Sequence, residues 1–249
     1  MSPRLPPEVV LEGYEEGSDE LFVSQAKGRE LTFERCLRVI ERSRKGPPGR
    51  LLDIGTGSAS FPYVARRRGW TVEACEPNRW LCEWARENYQ VPVQPGTVFE
   101  QQYPSRAFDL VTLWDVVEHT ADPRKEVAEA NRILKEGGLL VINYPDIGSW
   151  IARVMGGTWV FLLDVHLYYF TRATMRRLLQ GTGFEVVRVR PHYQQLGLGY
   201  ILRRATPYVG TPARLAGRLF SALGMDDVQV PYWMGQTLVV ARKASPASS

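Results

Sequence analysis

Leu51-Leu52-Asp53-Ile54-Gly55-Thr56-Gly57-Ser58-Ala59-Ser60 is the stretch whose reading decides the fold. A short apolar run enters a turn with two glycines, and helix-forming sequence then continues to about Arg68. Glycines in such a turn permit positive φ and let a ligand approach the backbone closely. In open α/β sheets that ligand lies beyond the carboxyl ends of the strands. Upstream, Gly46-Pro47-Pro48-Gly49 stops a helix predicted over 27–44. Downstream, strands are predicted at 71–75, 91–94, 108–113, 139–143, 184–190 and 236–242. Helices are predicted at 79–88, 123–135 and 171–180, with Asp122-Pro123 and Thr171 as start signals and Gly137-Gly138 as a stop. Strand and helix alternate, which calls for a parallel sheet with right-handed crossovers. The fold class is therefore α/β, a Rossmann-like seven-stranded sheet with helices on both faces.

The chain of 249 residues suits one domain. It divides into an N-terminal segment and helix (1–49), a cofactor-binding core (50–143), a lid insertion after strand five (144–170), the rest of the core (171–190 and 236–242) and a helical insertion (192–234). Hydrophobic residues make up 44% and charged residues 23%, enough for a full core. A net charge of +4 is too mild to demand an anionic partner. Cys36, Cys75 and Cys82 form neither a disulfide framework nor a zinc motif, and read as buried thiols in a cytoplasmic protein. Residues 1–17 lack the apolar run of a signal peptide, residues 244–249 read as a frayed tail, and no stretch is apolar enough to span a bilayer.

The glycine loop discriminates between cofactors. A dinucleotide fingerprint needs a third glycine where this chain has Ser60. Asp53 would repel a pyrophosphate but suits a ligand carrying an ammonium and a sulfonium. Glu76, about twenty residues on, is placed to take both ribose hydroxyls. A nicotinamide-dependent oxidoreductase is thus the weaker reading, and the chain has no Tyr-x-x-x-Lys relay. A non-catalytic or membrane-peripheral cofactor binder is the third, since fold does not fix function.

Residues 51–57 resemble motif I of class I S-adenosylmethionine-dependent methyltransferases. Phe108-Asp109-Leu110-Val111 with Trp114-Asp115-Val116-Val117-Glu118-His119 resembles the strand-four motif of that family. Ile133-Leu134-Lys135-Glu136-Gly137-Gly138-Leu139-Leu140 resembles the passage into strand five. His166-Leu167-Tyr168-Tyr169-Phe170-Thr171 with Gly183-Phe184-Glu185-Val186 resembles a bacterial small-molecule branch related to ubiquinone-biosynthesis O-methyltransferases. The resemblance covers roughly 27–190 and the last strand. The departure is Thr56, where the family often has Cys.

The resemblance implies an antiparallel seventh strand and S-adenosyl-L-methionine as cofactor, with S-adenosyl-L-homocysteine as product. It implies that Asp53, Gly55, Thr56 and Gly57 meet the amino-acid end of the cofactor, and that Glu76 takes the ribose. Pro77, Thr97 and Val98 would pack the adenine, Trp114 would line the methionine, and Arg29 would meet the carboxylate. The acceptor is a small molecule methylated at oxygen, with nitrogen as the alternative. His119 and His166 are the candidate bases, because a hydroxyl must lose its proton. Asp115, Glu118 and His119 form an alternative Mg²⁺ set, against the simpler reading that Glu118-His119 anchors the next loop. His166 is equally readable as a residue that positions Tyr168 and Tyr169. The aromatic lid, with Gly156-Gly157 as hinge, offers Tyr144, Trp159, Tyr168 and Tyr169 to the acceptor. His192 reads as a surface residue.

The stretch 198–223 carries Arg203, Arg204, Arg214 and Arg218 among apolar residues. It reads as a domain cap that turns its arginines to water, with membrane contact as the less favoured reading. Nucleic acid is not expected as substrate, because no long basic cluster tracks a phosphate backbone. The protein is expected to be a monomer or homodimer.

Overall fold

A computed structural model describes residues 20–44 and 46–244. All of the N-terminal segment 1–17 and residues 245–249 of the tail lie outside the described residues. In chain order the elements are α1 (Glu20–Val23), α2 (Ala26–Ser43), β1 (Arg50–Ile54), α3 (Ser60–Arg67), β2 (Thr71–Glu76), α4 (Arg79–Tyr89), β3 (Gln94–Pro95), β4 (Phe108–Trp114), α5 (Pro123–Ile133) and β5 (Leu134–Pro145). There follow α6 (Trp150–Met155), a 3₁₀ turn (Gly156–Thr158), α7 (Arg172–Gln180), β6 (Phe184–Pro191), β7 (Gln194–Gly197), α8 (Leu198–Val209), α9 (Thr211–Ala222), β8 (Gln229–Tyr232) and β9 (Gln236–Lys243).

Seven strands form one sheet in the order β3-β2-β1-β4-β5-β9-β6, and β9 runs antiparallel to both its neighbours. The period-2 alternation of side chains divides the core between the two faces. Leu51, Leu110, Val141 and Leu238 pack with Leu37 and Ile40 of α2 and Phe61 of α3. Their neighbours Leu52, Val111, Ile142 and Val239 pack with Val127 and Ile133 of α5 and with Met175 of α7. Because both faces are covered, the central strands read as continuous apolar runs.

The start signals act as the sequence predicts. Asp122 accepts from the backbone N–H of Arg124 and Lys125, with Pro123 at the first helical turn. Thr171 accepts from Thr174 N–H in a capping box. All three cysteines are buried and free, and burial pushes the Cys36 thiol up to about 12.

The larger departures from the sequence reading fall in three places. The third strand is only Gln94–Pro95, while Val91 and Val93 are buried with α4 instead. The helix expected to reach Lys135 ends at Ile133, and β5 begins at Leu134, which pairs with Phe108. Gly137 sits inside that strand at φ +71°, and a register shift between Phe108 and Leu110 absorbs the irregularity. Within 192–234, β7 and β8 form a two-stranded ribbon beside the two helices.

Candidate active site

The glycine loop is tied to β2 by main-chain bonds from Gly55 N (2.9 Å) and Thr56 N (3.2 Å) to Cys75 O. Gly55 adopts φ +63°, and a Cβ there would lie 2.7 Å from Val116 Cγ2. Both the conformation and the clearance therefore require glycine. Two buried carboxylates brace the loop from beneath. Asp53 accepts from Thr56 Oγ1 (2.6 Å) and Thr112 Oγ1 (2.5 Å). Glu76 accepts from Gly57 N (2.7 Å) and Asn78 N (2.9 Å). Burial pushes each carboxyl up to about 7, against the hydrogen bonds that lower it.

Two adjoining hollows open at the carboxyl edge of the sheet and share Gly55, Asp115 and His119. The first, of about 400 Å³, is mostly apolar and is lined by Pro77, Thr97, Val98, Phe99 and Val116. The second, of about 380 Å³, takes in Thr56, Gly57, Arg29 and Trp114 at one end, and Phe161, His166 and Tyr200 elsewhere. Gly55, Thr56, Gly57, Pro77, Thr97, Val98, Trp114 and Arg29 are thus brought into one cleft, with Asp53 and Glu76 buried beneath its floor.

Helix α2 is clamped where Arg29 must be held. Gly28 packs so closely on the ribbon that a Cβ would fall 2.2 Å from Gln195 O. Thr32 Oγ1 donates to Gly28 O (2.8 Å) and accepts from Gln195 N (2.7 Å). Arg29 lies over the Phe22 ring at 3.2 Å; burial pushes the Asp115 carboxyl up to about 6, and the Arg29 charge opposes that rise. Asp115 stands at φ +53° and exchanges two hydrogen bonds with Asn143, at 2.7 and 2.9 Å. A non-glycine residue in that region is held by its surroundings and often marks a functional site.

The chain has three histidines, and all three line the second hollow. His119 Nδ1 faces the Val165 carbonyl at 3.0 Å. A carbonyl only accepts, so Nδ1 carries the proton and the lone pair is on Nε2. The His119 and His166 rings meet edge to face at 4.7 Å. Burial lowers both pKa values, that of His166 to about 4, so both rings are neutral at pH 7. Glu118 is 1% exposed, and neither of its carboxylate oxygens has a hydrogen-bond partner among the described residues. Burial and then Asp115 push that carboxyl well above the usual range.

One ligand atom each from Glu118, His119 and His166 lies within 4.8 Å of the others, a group that does not include Asp115. One oxygen and two nitrogens suit zinc or iron; magnesium prefers oxygen throughout. The donor set therefore does not fit the Mg²⁺ reading. The anchoring role is also present: Glu118 O accepts from Leu167 N (2.8 Å) and Tyr168 N (3.1 Å), joining the strand-four loop to the insertion.

The four aromatic residues expected to meet the acceptor line neither hollow. Tyr144 is fully buried and packs edge-on against Phe170. Trp159 Nε1 donates to Met234 O (2.7 Å). Tyr168 OH donates to Ala121 O (3.0 Å), and Tyr169 OH bonds both the N–H and the carbonyl of Leu163. The same insertion instead presents Val160, Phe161, Leu163 and His166.

His192 corrects the sequence reading most sharply. It is 3% exposed, its Nδ1 lies 3.7 Å from Cys36 Sγ, and its ring faces Trp114 at 5.8 Å. It follows β6, whose carboxyl end lies on the same edge as those of β1, β4 and β5, and α2 closes over it. The topological rule that ligands gather at that edge was the signal for it. Tyr200, Arg204 and Tyr232, from the 192–234 insertion, also line the hollow and had no motif to mark them.

A seven-stranded sheet of this order, with a glycine loop after β1 and a cleft at its carboxyl edge, is the fold of the class I S-adenosylmethionine-dependent methyltransferases. The chain belongs to the family described as "Methyltransferase domain", which matches residues 28–189. A ubiquinone biosynthesis O-methyltransferase of Caulobacter sp. (strain K31) is 32% identical over 120 residues, 44% of this chain and 47% of that protein. A sarcosine/dimethylglycine N-methyltransferase of Aphanothece halophytica is 27% identical over 117 residues, 43% of this chain and 42% of that protein. The chain thus matches less than half the length of each. The solved structure of a SAM-dependent methyltransferase from Archaeoglobus fulgidus has a TM-score of 0.60, covering 90% of this chain and 100% of that one at 19% identity, a likeness of fold.

Proposed function

We propose that this chain transfers the methyl group of S-adenosylmethionine to a hydroxyl oxygen of a small molecule held in the second hollow. The observation that carries the oxygen reading is the Glu118–His119–His166 cluster against that hollow. A neutral amine attacks with its own lone pair and needs no base, whereas a hydroxyl must lose its proton.

The adenosine occupies the apolar first hollow and the methionine lies between the glycine loop, Arg29 and Trp114. The sulfonium then sits where the hollows join, beside His119. In an in-line displacement the acceptor oxygen forms a bond to the methyl carbon as the carbon–sulfur bond breaks, and that electron pair stays on sulfur. The hydroxyl proton passes to His119 Nε2, and the products are a methyl ether and S-adenosylhomocysteine. Alignment and exclusion of water supply much of the rate, and the 144–170 insertion roofs the reaction.

The test is to supply methyl-¹³C S-adenosylmethionine with matched phenols, catechols and amines and to follow product by carbon NMR. Methoxy products from the hydroxyl acceptors are expected; turnover of amines alone would sink the oxygen reading.

The buried carboxyls give the cofactor site a pH dependence. Cationic cofactor and ribose hydroxyls favour ionised Asp53 and Glu76, so binding lowers their pKa values from about 7 and releases protons below that pH. Affinity for S-adenosylmethionine is therefore expected to rise roughly tenfold per linked group between pH 6 and 8. Titration calorimetry in buffers of different ionisation enthalpy reads both the affinity and the proton count. A flat profile with no proton release would show that the two carboxylates do not sense the cofactor.

A further inference from the structure

The pair α8–α9 leaves an apolar stripe in solvent. Leu215 and Leu219 lie one turn apart on one side of α9, Leu223 caps its end, and the three are 60%, 59% and 62% exposed. Tyr208 and Val209, at the end of α8, are 54% and 56% exposed and lie just before the Gly210 turn. Of the residues of α9 only Ala213 is buried.

The charge on this hairpin has one sign. Residues 198–223 contain Arg203, Arg204, Arg214 and Arg218 and no Asp, Glu or Lys. All four arginines are exposed. A helix turned only to water carries mixed charges and few large apolar residues. Leucine and tyrosine exposed among arginines match a helix lying in the interface of a bilayer, where the apolar face enters the acyl boundary and the cations meet anionic headgroups. No helix among the described residues is long and apolar enough to cross a membrane, so contact through this hairpin would be peripheral.

We infer that the α8–α9 hairpin docks this protein on an anionic lipid surface. The complementarity of Arg203, Arg214 and Arg218 to anionic headgroups selects that occupant over an uncharged apolar one. The inference stands on this surface and is independent of the acceptor atom proposed above. It has a consequence for the site: α8 also supplies Tyr200, Ile201 and Arg204 to the second hollow, so docking would bring the wall of the acceptor site to the membrane.

The test is flotation of the full chain with vesicles of pure phosphatidylcholine and of phosphatidylcholine mixed with phosphatidylglycerol. Partition onto the anionic vesicles is expected to be at least about tenfold stronger and to weaken as salt is added. The double variant Leu215→Asp/Leu219→Asp and the double variant Arg214→Gln/Arg218→Gln should each abolish it. These side chains are exposed, and unchanged circular dichroism and S-adenosylhomocysteine affinity would confirm that both variants fold. Absence of binding to anionic vesicles, or binding that survives both double variants, overturns the inference. So does a concentration-dependent dimer in sedimentation that the leucine variant dissociates while vesicles capture nothing, since the stripe would then serve a second copy.

Discussion

Glu76→Ala is expected to weaken S-adenosylhomocysteine binding by at least about a hundredfold. Its buried carboxylate accepts from Gly57 N at 2.7 Å and Asn78 N at 2.9 Å. Removing it leaves two amide donors unpaired beneath the loop, each costing about 1–3 kcal/mol. The first donor belongs to the glycine loop and the second to the start of α4, so the loop loses one of its ties to β2 and keeps the main-chain bonds to Cys75 O. Glu76→Gln keeps one accepting oxygen and should fall between the variant and wild type. Calorimetry on protein checked for its native circular dichroism measures the loss. Wild-type affinity in a folded Glu76→Ala protein would remove Glu76 from the cofactor site.

His119→Ala is expected to lower kcat by about 10²–10⁴-fold while leaving S-adenosylhomocysteine affinity within a few-fold of wild type, the signature of a lost base. The tautomer fixed by the Val165 carbonyl leaves the His119 lone pair on Nε2, and the ring lines both hollows where they meet. Burial lowers its pKa, so the neutral base persists to lower pH than in a free imidazole, and kcat should hold level through neutral pH and fall only on the acid side of the ordinary histidine range. His119→Gln, which can hold the Val165 carbonyl but cannot take up the proton, should be as slow as His119→Ala. If His119→Gln restores turnover, the ring only anchors the insertion. Rapid-quench measurement of a single turnover separates chemistry from product release.

The sheet was legible because its physics is local. Alternating faces at Leu51/Leu52 and Leu110/Val111, the pair Asp122-Pro123 and the glycines of 55–57 each specify backbone without help from distant residues. Signals with two structural meanings misled. Gly137-Gly138 ends helices in many chains, but here cross-strand pairing of Leu134 with Phe108 draws the whole passage into β5.

The half of the cleft proposed for the cofactor was legible from motifs because most of its residues stand at the ends of β1, β2, β3 and β4. The second hollow, proposed for the acceptor, is assembled from segments far apart in sequence, so only tertiary packing reveals it. Aromatic residues serve a core as well as a pocket: Tyr144 fills the first, whereas Phe161 lines the second. His192 looked like a surface residue because nothing beside it in sequence announces Cys36, which lies 156 positions away.

The most direct measurement is titration calorimetry of the wild-type chain with S-adenosylhomocysteine, with NADH as the control. A single site of roughly micromolar affinity for the thioether and no heat from the nicotinamide is the expected result, at about −8 kcal/mol. Folded protein that ignores S-adenosylhomocysteine, or that prefers NADH, would contradict the account at its centre.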